Sequence, residues 1–294
     1  MKKILGVYGN PRQHWVGDGF PVRSLFAYDA FGKELSPFLL LDYAGPTEFK
    51  PTESRRGVGQ HPHRGFETVT IVYQGEVEHR DSSGGGGVIG AGDVQWMTAG
   101  AGIIHEEFHS TEYGKTGGPF EMVQLWVNLP AKDKMTPAHY QAITNAQIPV
   151  VALPNGAGTL RVIAGSYDNG QVVHAGPAQT YSPINVWDVK LQAGKQVDFR
   201  VIEGHTAAVV VLHGTVQVNG DAVARDAQVV ILDQAGADVT IEANSDAVFL
   251  ILTGAPLNEP IEGYGPFVMN TTAQIREAIE DFNRGDFGKI GHSA

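Results

Sequence analysis

The sequence predicts an all-β chain of two tandem β-barrels followed by a short C-terminal helix, on three observations. Short β-rich runs are punctuated throughout by glycine and proline, 37 and 16 residues of 294. Many short strands at even spacing with turn signals point to sandwiches or barrels. One strand–glycine–strand unit occurs twice, and helical periodicity is convincing only near the end of the chain.

In chain order, the first unit is "TIVYQGEVEH" (70–79), an apolar run that turns at Gly75 into a second strand. Its counterpart is "VVVLHGTVQV" (209–218), turning at Gly214. Downstream of each, "GAGDVQWM" and "VARDAQVVIL" place an Asp (Asp93, Asp226) before another apolar strand. Between the halves, "LPAKDKMTPAHYQAITNAQIP" reads as a linker with one short helix. The expected domains are therefore 1–135 and 136–294, with the boundary placed to within roughly ten residues. At the end, "TTAQIREAIEDFNRG" reads as a helix capped by Thr272, presenting Ile275, Ala278, Ile279 and Phe282 on one face and stopped by Gly285.

Composition narrows the chemistry. Apolar residues make 42% of the chain and charged residues 18%, so a real core is affordable and disorder is not expected. The net charge of −11 repels phosphate backbones, which argues against nucleic-acid binding. There is no cysteine, which removes disulfides, zinc–thiolate sites, iron–sulfur clusters and thiol nucleophiles together. Any metal must sit on His, Asp, Glu or backbone oxygen. The apolar run in "MKKILGVYGNPRQ" is too short for a secretory signal, and no stretch approaches a membrane span. A cytoplasmic protein with no membrane partner is the expectation.

The informative stretch is "QHPHRGFETVTIVYQGEVEHRD" (60–81). His61 and His63 lie two residues apart where a strand begins, and residues i and i+2 of a strand share a face. Both imidazoles can therefore address one ion. The positions equivalent to them in the second unit, counted back from Gly214, hold Arg200 and Ile202, so metal chemistry belongs to the first half. Further candidates sit in "GIIHEEFHS". Its "HEEFH" satisfies the H-E-x-x-H pattern of zinc proteases, but that pattern works only on a helix. The glycines and isoleucines before it and the loop-like "STEYGKTGGP" after it argue for a strand. As a strand, the segment puts His105, Glu107 and His109 on one face and Glu106 and Phe108 on the other. Three imidazoles and a carboxylate suit an Fe(II)-type or similar divalent centre with open coordination positions.

"HPHRGFETVT", "VEHRDS", "GDVQWMTAGAGIIHEE" and "GPFVMNTTAQIREAI" together resemble the pirin family, bicupin proteins of the cupin superfamily, over nearly the whole chain. The resemblance implies two jelly-roll cupin barrels, the N-terminal one metal-binding and the C-terminal one metal-free. It implies His61, His63, His105 and Glu107 as ligands, usually of Fe(2+), with Ni, Mn, Co, Cu or Zn as alternatives. Glu67, four residues after His63, is a ligand in the general cupin pattern and is expected here only as support behind the ligands. Glu106 is the alternative carboxylate, though strand alternation favours Glu107. The implied activity resembles that of quercetin 2,3-dioxygenases: oxidative ring cleavage of a planar flavonol by dioxygen, with Glu107 as ligand and base. The family also contains non-enzymatic members whose iron tunes contact with a transcription factor or metabolic enzyme, so a protein partner is the rival expectation.

Other features have simpler readings. Gly85, Gly87 and Gly90 fit G-x-G-x-x-G, but a strand rather than a helix follows, so they are read as a hairpin tip. His79 and Asp81 are candidates for orienting a ligand histidine. Phe66, Trp96, Met97 and Phe108 are expected mainly in the core, and no G-x-S-x-G motif supports serine hydrolysis.

Overall fold

The structure, a computed structural model, describes residues 1–291. The expected all-β architecture of two cupin-type barrels holds. The chain forms two compact units, each built from a seven-stranded and a four-stranded antiparallel sheet.

In the first unit the larger sheet runs in the order His139–Ile143, Val94–Thr98, Phe66–Gln74, Gly118–Asn128, Phe38–Phe49, Phe20–Ala27, His14–Val16. The smaller runs Gly57–His63, Ile103–His109, Val77–Asp81, Gly86–Ile89. Phe20, Phe49, Val72, Phe120 and Met122 pack as an apolar plug inside this barrel. In the second unit the larger sheet centres on Thr206–His213, between Gln228–Leu232 and Ala247–Gly254, and Ile4–Gly9 forms its edge. Its interior is filled by Val189, Phe199, Val209, Val230, Phe249 and Ile251, among others.

The repeat seen in the sequence is a structural repeat. Phe66–Gln74 and Thr206–His213 occupy the same place in their sheets, and each is followed by a turn glycine, Gly75 at φ +81° and Gly214 at φ +83°. With no β-carbon, glycine enters this left-handed region at little cost. Space demands the same, since a Cβ on Gly214 would lie 2.2 Å from the carbonyl oxygen of Asp246.

The division of the chain departs from a single cut at 135/136. Met1–Pro11 and Leu25–Leu39 belong with the second barrel, while Asn258 onwards belongs with the first. The causes are strand pairings between segments far apart in sequence. Ile4–Gly9 pairs with Gln228–Leu232, and His139–Ile143 pairs with Val94–Thr98. The segment read as a linker therefore supplies an edge strand, flanked by 3-10 turns at Ala131–Asp133 and Asn145–Gln147 instead of a helix. The C-terminal helix, Thr272–Arg284, packs Ile275 and Ala278 with Phe267, Met269 and Phe287 of the first unit. Its cap is Thr271, one residue earlier than expected. Thr271 has extended dihedrals and accepts from the Gln274 amide, while the Gln274 side chain returns the bond. Gly285 ends the helix in the left-handed region as read. Two further short helices, Tyr28–Leu35 and Thr111–Thr116, had no clear periodicity to announce them. Among the described residues no helix is long and apolar enough to cross a membrane.

Candidate metal centre

The "HEEFH" segment is a strand, Ile103–His109, so the helical protease geometry does not form. It lies between Gly57–His63 and Val77–Asp81. Against the first, His105 faces His61 and Ile103 faces His63. Against the second, His105 faces Asp81, Glu106 faces Arg80 and Glu107 faces His79. The register with Gly57–His63 slips between His105 and Glu107, so Glu107 comes opposite Val58. This bulge leaves the i, i+2 alternation of His105 and Glu107 intact.

These pairings gather His61, His63 and His105, whose ligand nitrogens lie within 4.8 Å of one another. The ring centroids are 4.1 Å apart for His61–His105 and 4.9 Å for each of the other two pairs. His63 and His105 are buried and His61 half-buried. Hydrogen bonds fix which nitrogen is available. His61 Nδ1 meets the Gly59 carbonyl at 2.8 Å, and His63 Nδ1 meets the Pro266 carbonyl at 3.3 Å. A carbonyl only accepts, so both Nδ1 atoms carry the proton and both Nε2 atoms keep a lone pair.

His105 reaches the same state through a longer relay. His79 Nε2 donates to Asp81 Oδ2 at 2.9 Å, leaving His79 Nδ1 as an acceptor 3.4 Å from His105 Nδ1. His105 therefore protonates Nδ1 and frees Nε2. That Nε2 is buried without a hydrogen-bond partner. A buried polar atom left unpaired costs about 1–3 kcal/mol, and a cation is the partner a lone pair can accept. Three gathered imidazoles, each with Nε2 unprotonated and that of His105 buried and unpaired, fit a divalent metal ion.

Electrostatics agree. Burial, then the neighbouring imidazoles, lowers His63 to about 3 and His105 well below the ordinary histidine value. Both are neutral at physiological pH, the state a metal ligand requires. Burial works against ionisation of Asp81, but bonds from His79, Ser83 and Gly85 hold it below the usual carboxylate range. His79 and Asp81 thus stand behind His105, where the sequence reading expected a group that could orient it.

Glu107 belongs to the same neighbourhood but to a second grouping, with His79 and His105, again within 4.8 Å. Its Oε1 accepts from Gln95 Nε2 and from Thr70 Oγ1 at 3.3 Å. Gln95 also donates to Thr70 and accepts from Tyr140, whose ring stacks on His79 at 4.7 Å. Thr70, Gln95 and Tyr140 were not singled out by the sequence reading. The available signal was a polar residue in an otherwise apolar strand, as in "DVQWM".

The remaining candidates fall elsewhere. Glu106 points to the other face, where Arg80 lies 3.2 Å and Arg55 3.8 Å from its Oε1. Glu67 pairs with Thr98, on the sheet face opposite to Thr68 and Thr70, and accepts from the Thr98 hydroxyl at 2.7 Å. It does not stand behind the ligands as expected. His109 Nε2 donates to the Gly19 carbonyl (2.9 Å), and its ring stacks on Phe120, inside the aromatic plug. Phe66 and Trp126 flank His63 at 5.1 and 5.4 Å, whereas Phe108 lies under the guanidinium of Arg55.

Comparison with known proteins now decides the family. Residues 19–127 match the Pirin family model, and residues 186–288 match the model of the Pirin C-terminal cupin domain. The chain belongs to the pirin family. A Pseudomonas aeruginosa protein named "Putative quercetin 2,3-dioxygenase PA2418" is 62% identical over 287 residues, covering 98% of this chain and 99% of the relative. A pirin-like protein of Caulobacter vibrioides is 40% identical over 252 residues, 85% of this chain and 87% of the relative. Among solved structures, a crystal structure of quercetin 2,3-dioxygenase from Acinetobacter baumannii superposes with a TM-score of 0.95 at 61% identity, covering 99% of this pirin and 100% of that chain. The Escherichia coli pirin YhhW, solved in complex with nickel(II), shares the fold at TM-score 0.60 and 21% identity, over 85% and 99% of the two chains.

Proposed function

We propose that this pirin is a metal-dependent dioxygenase that cleaves the heterocyclic ring of a flavonol, with His61, His63, His105 and Glu107 as ligands of an iron(II) ion. The observation that carries the reading is the buried, unpartnered Nε2 of His105 beside the free Nε2 atoms of His61 and His63. The relatives named as quercetin dioxygenases support the same substrate class. A divalent ion bound there supplies Lewis-acid polarisation of substrate oxygen and, as iron, electron exchange with dioxygen.

The chain's own residues supply the rest. Glu107 receives the flavonol 3-hydroxyl proton, and the donors Gln95 and Thr70 on Oε1 hold the carboxylate while Oε2 takes it. The flat rings of Phe66 and Trp126, 4.3 Å apart at 31°, give an aromatic wall beside His63 suited to a planar substrate. In the overall reaction both atoms of dioxygen enter the cleaved product, and one ring carbon leaves as carbon monoxide.

The test is flavonol absorbance followed under air and without oxygen, with the metal content of the protein measured in parallel. Oxygen-dependent loss of flavonol, carbon monoxide release and turnover proportional to iron are expected. Flavonol binding without oxygen-dependent loss would replace this reading with that of an iron-holding regulator acting through a protein partner.

A further inference from the structure

We infer that the first barrel carries a second binding site, for a small oxyanion bearing a carboxylate or phosphate group, in a cavity formed around Lys50 and Arg56. The cavity encloses about 300 Å³ and is lined by Lys50, Arg55, Arg56, Lys115, His109 and Tyr113, among others. Four cationic side chains face one space, against a single lining acid, Glu53, in a chain of net charge −11. Such a concentration opposes the overall field and draws anions from solution.

Two of the four cations are already engaged. Lys115 is held by Glu112 at 2.6 Å, and Arg55 stacks 3.8 Å from the Phe108 ring centroid with long pairings to Glu78 and Glu106. Lys50 and Arg56 have no such ion pair, although the Arg56 guanidinium lies 5.5 Å from the Phe49 ring centroid. Among the described residues neither has a carboxylate within ion-pair distance, and the Arg56 side chain makes one bond, Nη1 to the Lys50 carbonyl at 3.1 Å. That bond anchors one arm of the fork and leaves the rest of the guanidinium for a ligand. Planar guanidinium and mobile ammonium together match a carboxylate or phosphate. Phe49, Tyr113 and His109 are all buried and give the cavity a low-dielectric floor that strengthens the attraction.

The position is separate from the metal centre. Four residue steps of extended strand separate His105 from His109, roughly 13 Å of rise. The aromatic plug around His109 and Phe120 occupies that end of the barrel. Yet the cavity sits where the two ligand-bearing strands finish. Arg56 immediately precedes Gly57–His63, and its carbonyl accepts from the His109 amide, at the end of Ile103–His109, at 2.8 Å. The inference does not depend on the dioxygenase reading.

Calorimetric titration of the full-length, metal-free chain with inorganic phosphate, and separately with malonate, tests it, with sodium chloride holding ionic strength constant. Saturable binding of one anion per chain is expected. Arg56→Gln should weaken it at least tenfold and Lys50→Gln severalfold. Arg276→Gln, on the exposed face of the C-terminal helix, should leave it unchanged. Arg56→Lys, which keeps the charge and loses the fork, gives an intermediate loss and covers the case in which Arg56→Gln does not fold. Preference for phosphate would identify phosphate esters as the ligand source, and preference for malonate would identify carboxylates. No saturable binding of either anion, or binding indifferent to both Arg56 and Lys50, overturns the site.

Discussion

His79 determines which nitrogen of His105 is free, and Asp81 determines the tautomer of His79. Asp81→Asn disturbs this relay, because an amide can donate where His79 needs an acceptor. A loss of about 10- to 100-fold in metal affinity is expected, read by competition with a chromophoric chelator. Glu107→Gln should also lower affinity and abolish turnover, while Glu106→Gln should leave both nearly unchanged. Its partner Arg80 is partly exposed, and such surface pairs contribute about 0–1 kcal/mol. The reverse ranking would reject the strand alternation on which Glu107 was chosen. Glu67 gives a pH signature. Burial raises it to about 7, although the bond from Thr98 pulls it down. A carboxyl raised on folding contributes stability that is full below the unfolded value near 4.5 and is lost as pH climbs through 7. Glu67→Gln keeps an acceptor for Thr98 and removes the ionisation. The variant should therefore be more stable than wild type at pH 8, by about 1–3 kcal/mol, with the difference vanishing below pH 5 in urea titrations. At this scale much was legible. The histidines declare themselves by i, i+2 spacing, a local property of one strand. Gln95 and Tyr140 reach Glu107 and His79 from other strands, and nothing local marks such contacts.

At the scale of elements, the C-terminal segment completes the end of the first barrel that holds the candidate metal centre. Arg64, next to His63, forms a parallel bridge with Phe267 of the hairpin Glu262–Tyr264/Phe267–Met269. Its guanidinium donates to the Ala101 carbonyl at 2.6 Å, pairs with Asp281 of the helix at 2.7 Å and lies 4.8 Å from the Phe287 centroid. Lys134 adds bonds to the carbonyls of Gly65 and Val268. The hairpin also presents the Pro266 carbonyl that orients His63. Asp281→Ala should cost roughly 2 kcal/mol, the scale of a charge-assisted hydrogen bond, and should weaken metal binding as the hairpin loosens. Urea unfolding and chelator competition measure the two effects. Full stability with unaltered metal affinity would show that the helix only covers the barrel. The helix itself was readable from its periodicity and its terminal glycine. Its attachment to residues 200 positions earlier was not, because amphipathic pattern tells that a face is buried and never against what.

On the scale of the whole molecule, two copies of one architecture have taken different interiors. The second barrel is filled by aliphatic and aromatic side chains, and at the places equivalent to His61 and His63 it carries Arg200 and Ile202, both exposed. This asymmetry was visible in the sequence because counting back from a shared turn glycine aligns the halves. The exchange of edge strands was hidden, since pairing between Ile4–Gly9 and Gln228–Leu232 leaves no local trace. The consequence for metal content is definite. Elemental analysis should find one tightly bound ion per chain, and His61→Ala or His105→Ala should find none. Neither apolar core includes a metal-centre histidine, so both variants should keep their far-ultraviolet circular dichroism. A metal that binds only the folded chain stabilises it by about 2.7 kcal/mol at a hundredfold excess over its dissociation constant. For a chain of 294 residues unfolding as one unit that corresponds to a rise in Tm of about 4 °C, which chelation should remove reversibly. Two ions per chain would mean that the second barrel binds metal through residues other than those at the equivalent positions. Unfolding on chelation at room temperature would make the ion a structural support, at odds with an open site for substrate and dioxygen.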